Sequence, residues 1–186
     1  MSTIAEVLNS FPEKQSQTLW KVHHTLEALL PLSEQDMSWG MPTFRCEGII
    51  VVSLLGFQNH NSFFPGPEAI EIMGTRLEGY PVTKGTIHFD REKAPPKGFM
   101  TALVEARITA INAGFPKKSG EFLELYGNGV AKAKGKYKAG HMHGAWTFFR
   151  KNGTLMRSGS FRDGQQTGEW VTYDTSGLPY KTTQMG

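Results

Sequence analysis

The chain contains a single cysteine, Cys46, so no disulfide can form within it. That scarcity agrees with a reducing compartment. No apolar run approaches the roughly 18 residues of a membrane helix. The first residues lack both the basic and the long apolar segments of a secretory leader, so a cytoplasmic location is expected. Signatures of chemistry are also missing: there is no Gly-x-Ser-x-Gly elbow, no glycine-rich loop opening a helix, and no paired-carboxylate motif. Cys46 follows Arg45, which would lower a thiol pKa. No histidine is placed by sequence to act as its base, and a buried, inert thiol is the expected state. A non-enzymatic protein without a cofactor is therefore expected.

What is present is a repeat. Gly135, Gly140, Gly144, Trp146 and Gly153 recur 24 residues later as Gly159, Gly164, Gly168, Trp170 and Gly177. Tyr137 becomes Phe161 and Phe149 becomes Tyr173, while Gly120, Phe122, Leu125 and Gly129 occupy the matching places one period earlier. Fixed spacing of glycines and aromatics marks one supersecondary unit stacked on copies of itself. Each period reads as a hairpin with a turn between paired glycines and a Trp-x-x-Phe/Tyr strand. Asn152-Gly153 is expected as a two-residue turn, and Leu178 to Thr182 would add a final strand. The stacked rings should supply the core.

Charge divides at the same place. Residues 1–115 carry a net −3 and residues 116–186 a net +6, so the basic character belongs to the repeats. Lys132, Lys134, Lys136 and Lys138 alternate, which places a row of lysines on one strand face. Two readings stand: protection of an exposed strand edge, or weak binding of an anionic lipid or other polyanion.

The first 115 residues have a different pattern. Ser10-Phe11-Pro12-Glu13 reads as a capping box, followed by Leu19, Val22, Leu26 and Leu29 at helical spacing. Ile4, Val7, Leu8 and Phe11 suggest a short lead-in helix, and Ser33 to Asp36 another single turn. Ile49 to Leu55 is a β-branched and apolar run that suits a central strand. Thr43 to Cys46 and Ser62 to Phe64 are expected to flank it. Pro67 to Met73 reads as a helix, Gly85 to Phe89 as the last strand, and Phe99, Leu103, Ala106 and Ala110 as the stripe of a final helix. The expected fold class is α+β: a two-layer, mostly antiparallel sheet with helices on one face (residues 1–115), then an all-β module of stacked hairpins (residues 120–186).

Ser38-Trp39-Gly40-Met41-Pro42-Thr43-Phe44, Lys84-Gly85-Thr86-Ile87-His88-Phe89 and a proline-led helix ending near Arg107 resemble the YdhG-like family (domain of unknown function 1801) of bacterial domains. The resemblance implies a compact α+β fold in the cytoplasm. Some members carry a frataxin-like iron-chaperone label, which implies iron binding as an alternative function. The glycine and aromatic frame of the C-terminal third is similar to the bacterial variant of the MORN repeat, which implies contacts with a protein partner through the repeats.

Trp39, Met41, Phe44 and Phe64 either line a ligand pocket or pack beneath a loop. Lys84, His88 and Arg107 are the polar groups expected around such a pocket, and an enzyme site near Trp39 and His88 is a further alternative. His23 and Glu27 lie one turn apart, but a transition-metal site needs three or four converging ligands. A solvated helix face, and no metal site, is expected there. His141-Met142-His143 aligns with Gln165-Gln166-Thr167 and reads as a turn tip.

Overall fold

The computed structural model describes residues 2–186. The chain divides into two compact units, one formed by 1–110 with 127–129 and the other by 111–126 with 130–186.

The first unit is α+β. Helix α1 (Ile4–Asn9) is opened by a capping box at Thr3 and Glu6: the Glu6 amide donates to Thr3 Oγ1 and the Thr3 amide to Glu6 Oε2. The box expected at Ser10 does not form. Ser10 instead closes α1 by donating its amide to the Val7 carbonyl, and α2 (Glu13–Leu29) begins behind Pro12, whose side chain offers no acceptor. Leu19, Val22 and Leu26 are fully buried on α2, whereas Leu29 is half-buried and Leu30 takes the core place.

Six strands follow, β1 (Glu34–Ser38), β2 (Met41–Cys46), β3 (Ile49–Gly56), β4 (Asn61–Phe64), β5 (Val82–Thr83) and β6 (Thr86–Phe89), in the sheet order β1-β2-β3-β4-β6-β5. Each pairing is antiparallel. The single helical turn expected at Ser33 to Asp36 is therefore replaced by an edge strand. Cross-strand pairing decides it: Asp36 Oδ2 accepts from Arg45 Nε at 2.7 Å, and the turn to β2 is made by Trp39 and Gly40, both at positive φ. The same two-residue device, at Glu47 and Gly48, joins β2 to β3. Short strand β5 is a second addition to the expected order. Helix α3 (Pro67–Met73) runs into a 3₁₀ turn (Gly74–Leu77), and α4 (Lys97–Ala113) buries Met100, Leu103, Val104, Ala106, Ile108 and Ile111. Its apolar stripe is wider than expected, with Phe99 and Ala110 only half-buried.

The second unit is a six-stranded antiparallel meander, β7 (Gly120–Leu125), β8 (Ala131–Lys138), β9 (His141–Phe149), β10 (Leu155–Arg162), β11 (Gln165–Tyr173) and β12 (Pro179–Met185), each paired with its neighbours in sequence. Trp146 and Trp170 have equivalent surroundings. Each indole lies on a glycine of the preceding strand, Gly135 or Gly159, where an added Cβ would fall inside the ring. Each donates Nε1 to the carbonyl one residue past that glycine, Lys136 at 3.3 Å and Ser160 at 3.2 Å. Each is the last residue of a bulge at which that glycine faces three residues, with Gly144 or Gly168 at positive φ. Phe122 holds the tryptophan position of the leading copy, and Phe122, Ala133, Trp146, Phe161 and Trp170 form one buried cluster.

Two expectations for the turns change. The two-residue turns of positive φ are Ala139-Gly140 and Asp163-Gly164. Asn152-Gly153 belongs to a longer loop in which the Arg150 amide donates to the Thr154 carbonyl at 2.9 Å, repeated at Tyr126/Val130 and Asp174/Leu178. His141 to His143 is the first part of β9 and forms no turn tip.

Candidate functional site

Strands β4 and β6 and the segments flanking them enclose an open cleft of about 480 Å³, lined among others by Asn59, His60, Tyr80, His88, Asp90 and Lys93. This volume lies within the span usual for small-ligand sites. The sheet places its two imidazoles. Ser62 and His88 are register partners on β4 and β6, and Ser62 Oγ lies 2.9 Å from His88 Nδ1. That hydrogen bond fixes the ring and leaves Nε2 for a ligand. The His60 ring meets His88 edge-on at 4.2 Å and stacks on Phe57 at 5.1 Å. Burial, and secondarily His88, lowers the pKa of His60, which favours its neutral form. Tyr80 stacks on Phe99 at 4.1 Å, which holds the phenol in the wall.

A buried polar network ties down the segments next to His60 and Asp90. Asn61 has no solvent exposure; its Nδ2 donates to the carbonyls of Asp90 and Arg91, and its Oδ1 accepts from Gln15 Nε2 at 2.8 Å. Gln15 Nε2 also donates to the Phe57 carbonyl, and Gln15 Oε1 accepts from Arg91 Nε. One side chain from α2 and one from β4 thereby satisfy the carbonyls of Phe57, Asp90 and Arg91 and each other, as buried amides require.

Of the residues singled out from sequence, His88 alone lines this cleft. Trp39 is 81% exposed at a hairpin tip, so it neither lines a pocket nor packs beneath a loop. Phe44 is fully buried in the core against His23, Met41 is half-buried at the start of β2, and half-buried Phe64 lies 6.5 Å from Phe57. Lys84 is exposed in the turn before β6. Arg107 is held away, donating through Nε and Nη2 to the Ile50 carbonyl, with Glu68 at 3.9 Å. His60, Tyr80, Asp90 and Lys93 carry no spacing that sequence reading could use; the Tyr80-Pro81 and Pro95-Pro96 pairs flanking β6 were the available signal.

The lysine row lies on β8, an interior strand between β7 and β9, so protection of an edge is not its role. Lys132 pairs with Glu124 at 2.7 Å and Lys136 with Glu121 at 2.8 Å, and both lysine pKa values are raised by those hydrogen bonds. Lys134 lies over the Phe149 ring at 5.4 Å, and Lys138 is exposed at the end of the strand. Cys46 is buried, and burial, with Glu47 and Glu34, pushes its pKa up to about 11. The lowering expected from Arg45 does not occur, because that guanidinium is taken by Asp36, Ser38 and the Gly48 carbonyl. Among the described residues no helix is long and apolar enough to cross a membrane.

No family model and no curated protein matches the sequence. Among solved structures, the chain is similar to the crystal structure of a DUF1801-family protein, YdhG, from Bacillus subtilis, at 15% identity and a TM-score of 0.55 over 58% of this chain and 90% of that one. At that identity the likeness is one of fold, and it supports the DUF1801-like architecture read from the N-terminal motifs.

Proposed function

We propose that this chain is a non-enzymatic binding protein that receives a small ligand in the His60–Tyr80–His88 cleft and docks on a protein partner through its repeat sheet. The observation carrying the first part is the cleft itself: aromatic walls, with two imidazoles, a phenol, a carboxylate and an ammonium around one opening. A planar or ring-containing ligand with a polar group suits that lining. Ser62 hydrogen-bonds His88 as a nucleophile would, yet it is fully buried, so it orients the imidazole and does not reach a substrate. That favours binding over catalysis.

The repeat sheet supports the second part. Its glycine–tryptophan frame resembles the MORN pattern, whose association with partner docking is one of analogy. Anionic lipid or polyanion binding by Lys132, Lys134, Lys136 and Lys138 is a weaker reading, since Glu124 pairs with Lys132 and Glu121 with Lys136. Loss of vesicle binding in the double variant Lys134→Glu/Lys136→Glu would support it. Titration with ferrous iron separates out the iron-handling alternative. For the cleft, the test is a thermal-shift screen of metabolites on the full chain. A true ligand at 100 times its Kd stabilises by about 2.7 kcal/mol. His88→Ala and Tyr80→Ala should abolish the shift, and a shift unchanged in both variants refutes the cleft as the site.

A further inference from the structure

On α2, away from the cleft residues, His23, His24 and Glu27 bring three potential donor atoms within 4.8 Å of one another. Glu27 Oε2 lies 2.8 Å from His24 Nδ1 and 3.7 Å from His23 Nδ1. The carboxylate is aimed from outside the helix: Gln35 Nε2, on β1, donates to Glu27 Oε1 at 3.1 Å, which leaves Oε2 towards both imidazoles. His24 stacks on Trp20 at 5.3 Å, and His23 meets the same indole edge-on at 5.5 Å and Phe44 at 4.9 Å. The solvated helix face expected from sequence is therefore half wrong, because the His23 side chain is only 4% exposed.

His23 is the informative member. Neither of its ring nitrogens has a hydrogen-bond partner, and 3.7 Å to Glu27 is too long for one. A buried polar group normally finds a partner, and an unpaired one asks for an explanation. Leucine would fill the space against Phe44 with no such penalty. Burial also lowers its pKa, which keeps the ring neutral as ligation requires.

We infer that His23, His24 and Glu27 form a three-ligand site for a divalent first-row transition ion of the zinc type, with the remaining coordination open to water. Bond lengths of about 2.0–2.2 Å to N and O put tetrahedral donors roughly 3.3 Å apart; the two separations to Glu27, 2.8 and 3.7 Å, lie close to that, and the two imidazole donors, within 4.8 Å of each other, would draw together on binding. Two imidazoles and a carboxylate suit Zn²⁺, Co²⁺ or Ni²⁺ rather than Ca²⁺ or Mg²⁺. Glu27 and His24 are partly exposed, which gives the ion a route in and marks an exchangeable site, not a closed structural one. This inference is independent of the ligand proposed for the cleft.

The test uses the untagged full chain, stripped with a chelator and titrated with Zn²⁺ and Co²⁺ by calorimetry, Trp fluorescence and visible absorption. Expected are one equivalent bound at micromolar concentrations, a Co²⁺ ligand-field band, and a Trp20 response. His24→Ala, at an exposed position, and Glu27→Gln, at a half-buried one, should weaken binding by about tenfold or more while leaving the far-UV spectrum unchanged. Trp20→Phe should remove the fluorescence response and keep the affinity, which locates the ion. His23→Leu should fold and lose the Co²⁺ band. Absence of saturable one-equivalent binding, or binding undiminished in both His24→Ala and Glu27→Gln, overturns the assignment.

Discussion

Cys46 sits in β2 with 3% of its surface exposed and a pKa of about 11. Folding therefore holds the thiol protonated, and the sign of the pH effect follows. Its contribution to stability is complete below the ordinary thiol pKa and declines as pH rises from there towards 11. Cys46→Ala should flatten the alkaline limb of a stability–pH profile. In the native protein at pH 8, a thiol reagent should label Cys46 only at the rate of unfolding; rapid labelling without denaturant would contradict this burial. Asn61 is the second residue on which much rests. Asn61→Ala strips partners from Gln15 and from the carbonyls of Asp90 and Arg91. Leaving buried polar groups unpaired costs roughly 1–3 kcal/mol, so urea denaturation should show a loss in that range. Neither residue's role was legible in the sequence. Arg45 beside Cys46 suggested the opposite pKa shift, because nothing local shows that Asp36 takes that charge. Gln15 and Asn61 are 46 positions apart and meet only once α2 packs on the sheet.

At the scale of elements, the repeat was readable because its reason is steric. Only glycine leaves room for an indole flat on the backbone, so Gly135/Trp146 and Gly159/Trp170 recur together. Gly159→Val places side-chain carbons where the Trp170 ring lies. Overpacking of this kind costs about 1–3 kcal/mol or more, and the Trp170 fluorescence should shift towards that of a solvent-exposed indole. An unaltered spectrum and midpoint would mean that the indole seat is not what holds β10 to β11. Strand β12 shows the limit of the pattern: Thr183 stands where the earlier copies have glycine and pairs with Trp170. An indole could not lie flat on Thr183 as it does on Gly135 and Gly159. Elsewhere local signals misled. Ser33 to Asp36 has the composition of a helix start, but pairing with β2 made it a strand. The Ser10 cap failed because α1 had already claimed that residue as its C-cap. The cleft was invisible for the same reason as Asn61: His60 and His88 become neighbours through the β4–β6 pairing, which the chain makes only after inserting α3 and β5 between them.

At the scale of the whole chain, we propose that the two compact units are cored separately. The first contains Leu8, Leu19, Leu26, Phe44, Leu54 and Phe63, all fully buried, and the second is organised around Trp146 and Trp170. A helix-and-sheet core gains stability from aliphatic burial, whereas glycine-rich strands depend on a single layer of rings. The two should therefore respond to different substitutions. In a Gly159→Val variant at a denaturant concentration near the midpoint of the repeat sheet, amide exchange should accelerate across β9 to β11. Over the same range β3 should keep its protection and Cys46 its resistance to labelling, because neither draws on the indole layer. Exposure of Cys46 in step with the loss of protection in β10 would show instead that the chain unfolds as one cooperative body, and the proposal of two separately cored domains would fail.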